Sequence, residues 1–194
     1  MSSHGLVAEP VVLHLHGKLI RLEKGDLTAL PVDAFVFYAR EDLELGTGFG
    51  TAIQARGGAA IKEQLSKIGR IGVGEAVVTT AGSLQARHIV HACGPKFQEP
   101  DREPKLRKTM QAALDAAASA GLASIVFPPM GAGFYGIPLD LCSRVMLEEI
   151  SRFLAEASSL VEVTICVLDM REFNAFEPKL AALAGGEDLT RCTK

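Results

Sequence analysis

The chain has 194 residues, enough for one well-filled domain, and 48% of them are hydrophobic against 22% charged. A net charge of −3 provides no basic excess of the kind a nucleic-acid or anionic-membrane surface requires, so neither partner is indicated. No apolar run approaches the roughly 20 residues of a membrane span, and the start MSSHGLVAEP lacks a charged stretch followed by an apolar one, so a cytoplasmic location is expected. Cys93, Cys142, Cys166 and Cys192 show no CxxC spacing and read as free thiols of a reducing compartment.

Residues 1–10 read as a flexible N-terminus. Val11–His16 and Lys18–Glu23 both alternate apolar and polar residues around Gly17, as one bent strand or as a hairpin. Asp33–Tyr38 is apolar and β-prone, which fits a central strand. Gly50–Gly57 and Ala59–Ile68 have helical patterns split at Gly57–Gly58. Glu75–Thr80 and Ala86–Ala92 read as strands with a turn near Gly82–Ser83. Pro104–Ala120 carries Leu106, Met110, Ala113, Leu114 and Ala117 at helical spacing and is closed by Gly121. Ser124–Phe127 and Val161–Leu168 read as strands, Leu139–Leu154 and Arg171–Leu183 as helices. Residues 11–184 are expected to form a single domain, with 185–194 a polar C-terminal tail. Strands that alternate with helices and are continuously hydrophobic indicate an α/β sheet covered on both faces. Such sheets hold ligands in a crevice beyond the carboxyl ends of their strands.

Two glycine-rich loops follow predicted strands and precede predicted helices. The first is Gly46–Gly50 (GTGFG) and the second lies within Phe127–Pro138 (FPPMGAGFYGIP). Glycine lets a ligand approach the backbone closely, and a helix N-terminus adds partial positive charge, so both loops suit phosphate oxygens. Together they suggest one diphosphate held from two sides. Gly131, Gly133 and Gly136 match a dinucleotide fingerprint by letter, but that motif belongs after the first strand of its unit, and here only one strand follows. Glycines that merely make tight turns are the plainer reading of either loop alone.

Six motifs in order resemble the macrodomain family over Leu19–Leu183. They are Gly25-Asp26-Leu27-Thr28, Val32–Val36, Gly46–Ile53, Gly74–Thr79, His91–Pro95 and Phe127–Pro138. The resemblance implies a three-layer α/β/α sandwich around a central mixed, mostly parallel sheet. It also implies binding of ADP-ribose, free or attached to a protein, with no cofactor and no metal; some members hydrolyse ADP-ribosyl or acetyl-ADP-ribose esters. Carried onto this chain, Asp26 would accept a hydrogen bond from the adenine amino group and the Leu27 N–H would contact the ring. From residue type alone, Asp26 fits a turn or N-cap equally well. Gly46, Gly48, Phe49 and Gly50 would hold the diphosphate from one side. Gly131, Ala132, Gly133, Phe134 and Tyr135 would close over it from the other, with Tyr135 packing on a ribose.

The chain departs from the family at the distal ribose. Where the family reads N-A-A-N, this sequence has Phe37, Tyr38, Ala39 and Arg40. Arg40 donates only, and its planar fork suits a phosphate or carboxylate. Gly50 stands where many hydrolysing members carry an aspartate, and Leu168 where an aromatic often stacks on adenine. Binding of ADP-ribose or a related nucleotide diphosphate is therefore the leading expectation, with no catalytic residue assignable. A hydrolase of ADP-ribosyl or related nucleotide esters, and a scaffold that binds no ligand, are the alternatives. Outside the loops, His14 and His16 would need further ligands to hold a metal. His91 reads as a satisfied core or loop histidine before a base.

Overall fold

The computed structural model describes residues 8–46, 48–185 and 189–191. Strands β1 (Val11–Leu15) and β2 (Lys18–Lys24) pair antiparallel as a hairpin, with Leu15 opposite Lys18. His16 and Gly17 both take positive φ, 54° and 73°, the backbone a two-residue hairpin turn demands. His14 lies exposed on β1 while His16 is spent on that turn, so the two do not share a strand face. A 3-10 turn at Leu27–Ala29 leads to β3 (Ala34–Ala39), in which all six residues are buried.

Helices α1 (Phe49–Gly57) and α2 (Ala59–Ile68) precede β4 (Ala76–Thr80) and β5 (His88–Cys93). Helix α3 (Arg102–Ser119) begins two residues before the expected Pro104. A proline in the first turn forfeits no intrahelical bond, so it sits inside the helix start rather than marking it. Then follow β6 (Ser124–Phe127), α4 (Leu139–Leu154), β7 (Glu162–Val167) and α5 (Met170–Ala184). The tail expected after residue 184 contributes a short edge strand, β8 (Leu189–Arg191), antiparallel to β1.

The sheet order is β4-β5-β3-β6-β7-β2-β1-β8. The central pairings from β5 through β2 are parallel and the marginal ones antiparallel. Two cores cover its two faces. Ala34, Val36 and Tyr38 of β3 pack with α3, α4 and α5. Phe35, Phe37 and Ala39, pointing the other way, pack with α1 and α2. This is the expected α/β/α sandwich around a mixed sheet. Among the described residues no helix is long and apolar enough to cross a membrane.

The chain leaves β3 toward β5 on one side and leaves β6 toward β7 on the other. The carboxyl ends of β3 and β6 therefore flank a topological switch point, where the loops that follow diverge and leave a crevice. Phe127, the last residue of β6, is fully buried in the core just before the second loop begins. Phe127→Ala should lower unfolding free energy by about 3–5 kcal/mol in urea titrations, the cost of deleting a buried aromatic ring and leaving a cavity.

Candidate functional site

The two glycine loops meet over this switch point and enclose a cavity of about 480 Å³. Of the residues singled out from the sequence, Arg40, Gly46, Gly48, Phe49 and Gly50 line it from the β3 side. Gly131, Gly133, Phe134 and Tyr135 line it from the β6 side. Ala132 does not; its side chain packs against the core. Tyr38, Glu44 and the Pro128–Pro129 pair also face the cavity; of these, Glu44 is the one that sequence reasoning did not bring near the ligand.

The first loop ends at the N-terminus of α1, with Gly48 at φ 65° as the cap. Phe49 turns its ring onto Phe35 and Phe37, at centroid distances of 6.0 and 5.8 Å, which anchors the first helical turn to the core. Gly50 is forced by packing: a Cβ there would lie 1.5 Å from the Leu45 carbonyl oxygen. The loop lies tight because Leu43, at φ 57°, and Leu45 turn inward and are buried. A side chain at position 50 would therefore require a different path for residues 41–46.

The second loop is braced from several sides. The Ile137 amide donates to the Gly131 carbonyl at 3.0 Å, and the Gly136 amide to that of Gly133 at 3.0 Å. Arg102 Nη1 donates to the Gly136 carbonyl at 3.2 Å. Gly131 adopts φ 73°, and a Cβ there would meet Ile137 at 2.6 Å. Tyr135 lies over Tyr38 with centroids 4.5 Å apart, and the Tyr38 hydroxyl donates to the Pro95 carbonyl at 2.6 Å. Burial pushes both phenols above the ordinary tyrosine range, so both stay protonated. Among the described residues, the amides of Gly133, Phe134 and Tyr135 donate to no protein acceptor. Backbone amides left without protein acceptors, near a helix N-terminus, are groups chemically suited to an anion.

At the β3 end of the crevice, Arg40 is held by Asp42 at 2.6 Å and is half exposed. The Asp42 Oδ1 also accepts the Glu44 amide at 3.1 Å, so one carboxylate shapes the loop and orients the guanidinium. Phe37 and Tyr38 are both buried, on opposite faces of the sheet.

Asp26, Leu27 and Leu168 lie outside this cavity, at the carboxyl ends of β2 and β7 along the same sheet edge. Asp26 caps the 3-10 turn: its Oδ1 accepts the Thr28 amide at 3.0 Å and the Thr28 hydroxyl at 2.6 Å. Its Oδ2 accepts from Arg56 at 3.0 Å. The Thr28 hydroxyl and the Arg56 guanidinium hold this carboxyl below its usual range. Leu27 is buried, whereas Leu168 is 76% exposed. The Leu168 amide donates to Glu172 at 2.8 Å, while the Asp169 carboxylate takes the Glu172 amide to start α5.

His91 is fully buried on β5, its Nε2 2.8 Å from the Thr79 hydroxyl and its ring edge-on to Phe37. Its Nδ1 has no partner, and burial lowers its pKa to about 4. Cys93, Cys142 and Cys166 are buried free thiols. Burial raises all three, Cys93 to about 11 and Cys166 to about 12. Cys192 lies outside the described residues. Among those residues no group of three or more His, Cys, Asp or Glu is placed to hold a metal ion.

Residues 38–146 match the family model for the Macro domain. A Streptomyces griseus macro domain-containing protein is 39% identical over 171 residues, which span 84% of this chain and 95% of that protein. Among solved structures, an Oceanobacillus iheyensis macrodomain mutant with ADPR superposes with a TM-score of 0.85 at 25% identity, covering 91% of this chain and 99% of that one. The crystal structure of the Trypanosoma brucei macrodomain in complex with ADP-ribose gives a TM-score of 0.77 at 29% identity, covering 83% of this chain and 68% of that one.

The depressed His91 pKa has a definite sign for stability. A histidine kept neutral in the fold but free to charge when unfolded supports the native state above its unfolded value near 6.5 and loses that support as pH falls toward about 4. Stability should therefore decline in that window by roughly 1.4 kcal/mol per pH unit from this group. His91→Gln should flatten that part of the pH–stability curve measured by urea unfolding, while an unchanged slope would assign the acid sensitivity to other groups.

Proposed function

Because the chain belongs to the macrodomain family, we propose that its crevice binds ADP-ribose or a related nucleotide diphosphate, free or carried on a protein. The observation that carries this reading is the pair of loops over the β3/β6 switch point that line one cavity, one bearing the unspent amides of Gly133, Phe134 and Tyr135 and the other ending at the α1 N-terminus. Backbone amides and a helix end give a diphosphate its counter-dipoles without a metal or a lysine. The proteins from Oceanobacillus iheyensis and Trypanosoma brucei, described with ADPR and ADP-ribose, support the same class of ligand.

In this pose the adenine lies toward the ends of β2 and β7. Asp26, kept ionised by Thr28 and Arg56, offers its exposed oxygen edge to the amino group, with the Leu27 amide nearby. The exposed Leu168 supplies an apolar floor in place of an aromatic one. Gly46, Gly48, Phe49 and Gly50 face the phosphates from one side and the Gly131–Tyr135 bend from the other. The distal ribose falls between Tyr135 and Arg40, where a guanidinium replaces an amide. A hydrogen bond lost there costs about 1–3 kcal/mol, or one to two orders of magnitude in affinity. Free buried thiols fit a cytoplasmic setting.

A second reading, hydrolysis of an ADP-ribosyl or related ester, rests on Glu44, a carboxylate lining the crevice on the loop after β3. Tyr38 and Tyr135 stay protonated and Arg40 cannot accept a proton, so Glu44 is the group able to activate water. If a bound ester is turned over, Glu44→Gln should lower kcat by about 100-fold or more with little change in KM. Turnover indifferent to that substitution would remove Glu44 from the chemistry.

Gly133 provides the direct test of binding. Its backbone is ordinary and a Cβ there meets nothing within 4 Å, so a side chain leaves the fold intact. Gly133→Glu should place a carboxylate against the ligand phosphates and weaken ADP-ribose by about 100-fold in calorimetry, with an unchanged melting temperature. Equal affinity in the variant would move the diphosphate elsewhere.

A further inference from the structure

Beyond Arg40 and Tyr135 the crevice opens into a second cavity of about 400 Å³ over the carboxyl ends of β3 and β5. Arg40, Phe134 and Tyr135 line both spaces, so the two adjoin across the Arg40 side chain and the tip of the second loop. The nucleotide diphosphate accounts for the first space only.

The walls of the second space are aromatic. Phe134 is 88% exposed and Phe97 is 58% exposed, and both border this one opening. Their positions are set by packing. The Phe97 ring lies against Gly136, where a Cβ would approach it to 2.7 Å. The Phe134 ring stands edge-on to Tyr135 at a centroid distance of 5.4 Å. An exposed aromatic pair at the mouth of an otherwise formed cavity is an apolar area that only a bound group would cover.

The charges there are mostly spent. Lys96 is paired with Glu41 at 2.5 Å, and Arg40 with Asp42 at 2.6 Å. Among the described residues Arg70 has no carboxylate within salt-bridge distance. The rim is therefore nearly balanced, and its one unpaired guanidinium is a group that stacks on flat rings. Cys93, at the floor, keeps its proton because burial raises its pKa to about 11, so the cavity carries no nucleophile.

We propose that the bound ligand runs from the crevice into this second cavity and ends there in a flat heterocyclic ring held by Phe97, Phe134 and Arg70. The preferred class is then a nucleoside diphosphate whose second sugar carries a base, a dinucleotide rather than a bare ADP-ribose. This rests on the diphosphate-binding reading of the crevice and adds the identity of the group beyond its second sugar.

The test is calorimetric titration of the whole chain with ADP, ADP-ribose and diadenosine diphosphate, whose second sugar bears a neutral adenine. Diadenosine diphosphate should bind about tenfold or more tightly than ADP-ribose, the scale of one base stacked on aromatic side chains. Phe97→Ala and Arg70→Ala should each erase most of that advantage while leaving ADP-ribose within about twofold, and Phe97→Tyr should keep it. Equal affinity for diadenosine diphosphate and ADP-ribose overturns the proposal and leaves the crevice reading standing, as does an advantage that survives Phe97→Ala. An advantage shown instead by ADP-ribose carrying a terminal phosphate would assign the second cavity to an anion and overturn it too. Failure of ADP and ADP-ribose alike to bind would remove the crevice reading and this inference with it.

Discussion

The parallel pairing of β3 with β6 is the contact on which the site depends. Ala34 lies opposite Ile125 and Phe35 opposite Val126. Their register is held at the far end by Asp33, whose carboxylate accepts the Ala123 amide at 2.8 Å and the Ser124 amide at 3.2 Å. The Asp33 amide donates in return to the Ser124 hydroxyl at 3.0 Å. Two adjacent strands whose chains depart in opposite directions must leave a gap at their carboxyl ends. Everything that follows β3 and β6 is built around that gap: a helix N-terminus on one side and a braced bend with unspent amides on the other.

The loop after β3 is tightly packed. Residues 40–46 fold inward, with Leu43 and Leu45 buried and the Leu45 carbonyl against Gly50. That packing leaves no room for an acidic side chain at position 50, so the glycine there is a structural requirement of the loop and not a gap to be refilled. Asp42 organises the rest by taking both the Arg40 guanidinium and the Glu44 amide. Arg40, held this way, stands between the crevice and the aromatic-walled cavity beside it.

Most of the fold was legible because the hydrophobic periods are strong: β3, α4 and β6 follow their sequence patterns nearly residue for residue. Strand β8 was hidden because Leu189–Arg191 becomes extended by pairing with β1, not through its own composition. The hairpin at His16–Gly17 stayed ambiguous because a non-glycine residue at positive φ leaves no mark in the letters. Both loops announced themselves through glycine spacing. Glu44 did not, since its access to the crevice follows from the left-handed turn at Leu43. Asp26 was open between a cap and an acceptor. Its cap is plain in the structure, and Arg56, which completes its neighbourhood from α1, gave no signal in sequence.

The central claim is that backbone amides of the two loops, rather than side chains, grip a diphosphate. The measurement that tests it most directly is an amide proton–nitrogen correlation spectrum recorded during titration with ADP. The account predicts large shifts at Gly133, Phe134 and Tyr135 together with Phe49 and Gly50, saturating at one equivalent, because amide protons gaining a charged acceptor are deshielded. Shifts confined to other surfaces, with these five amides unmoved at saturation, would contradict it.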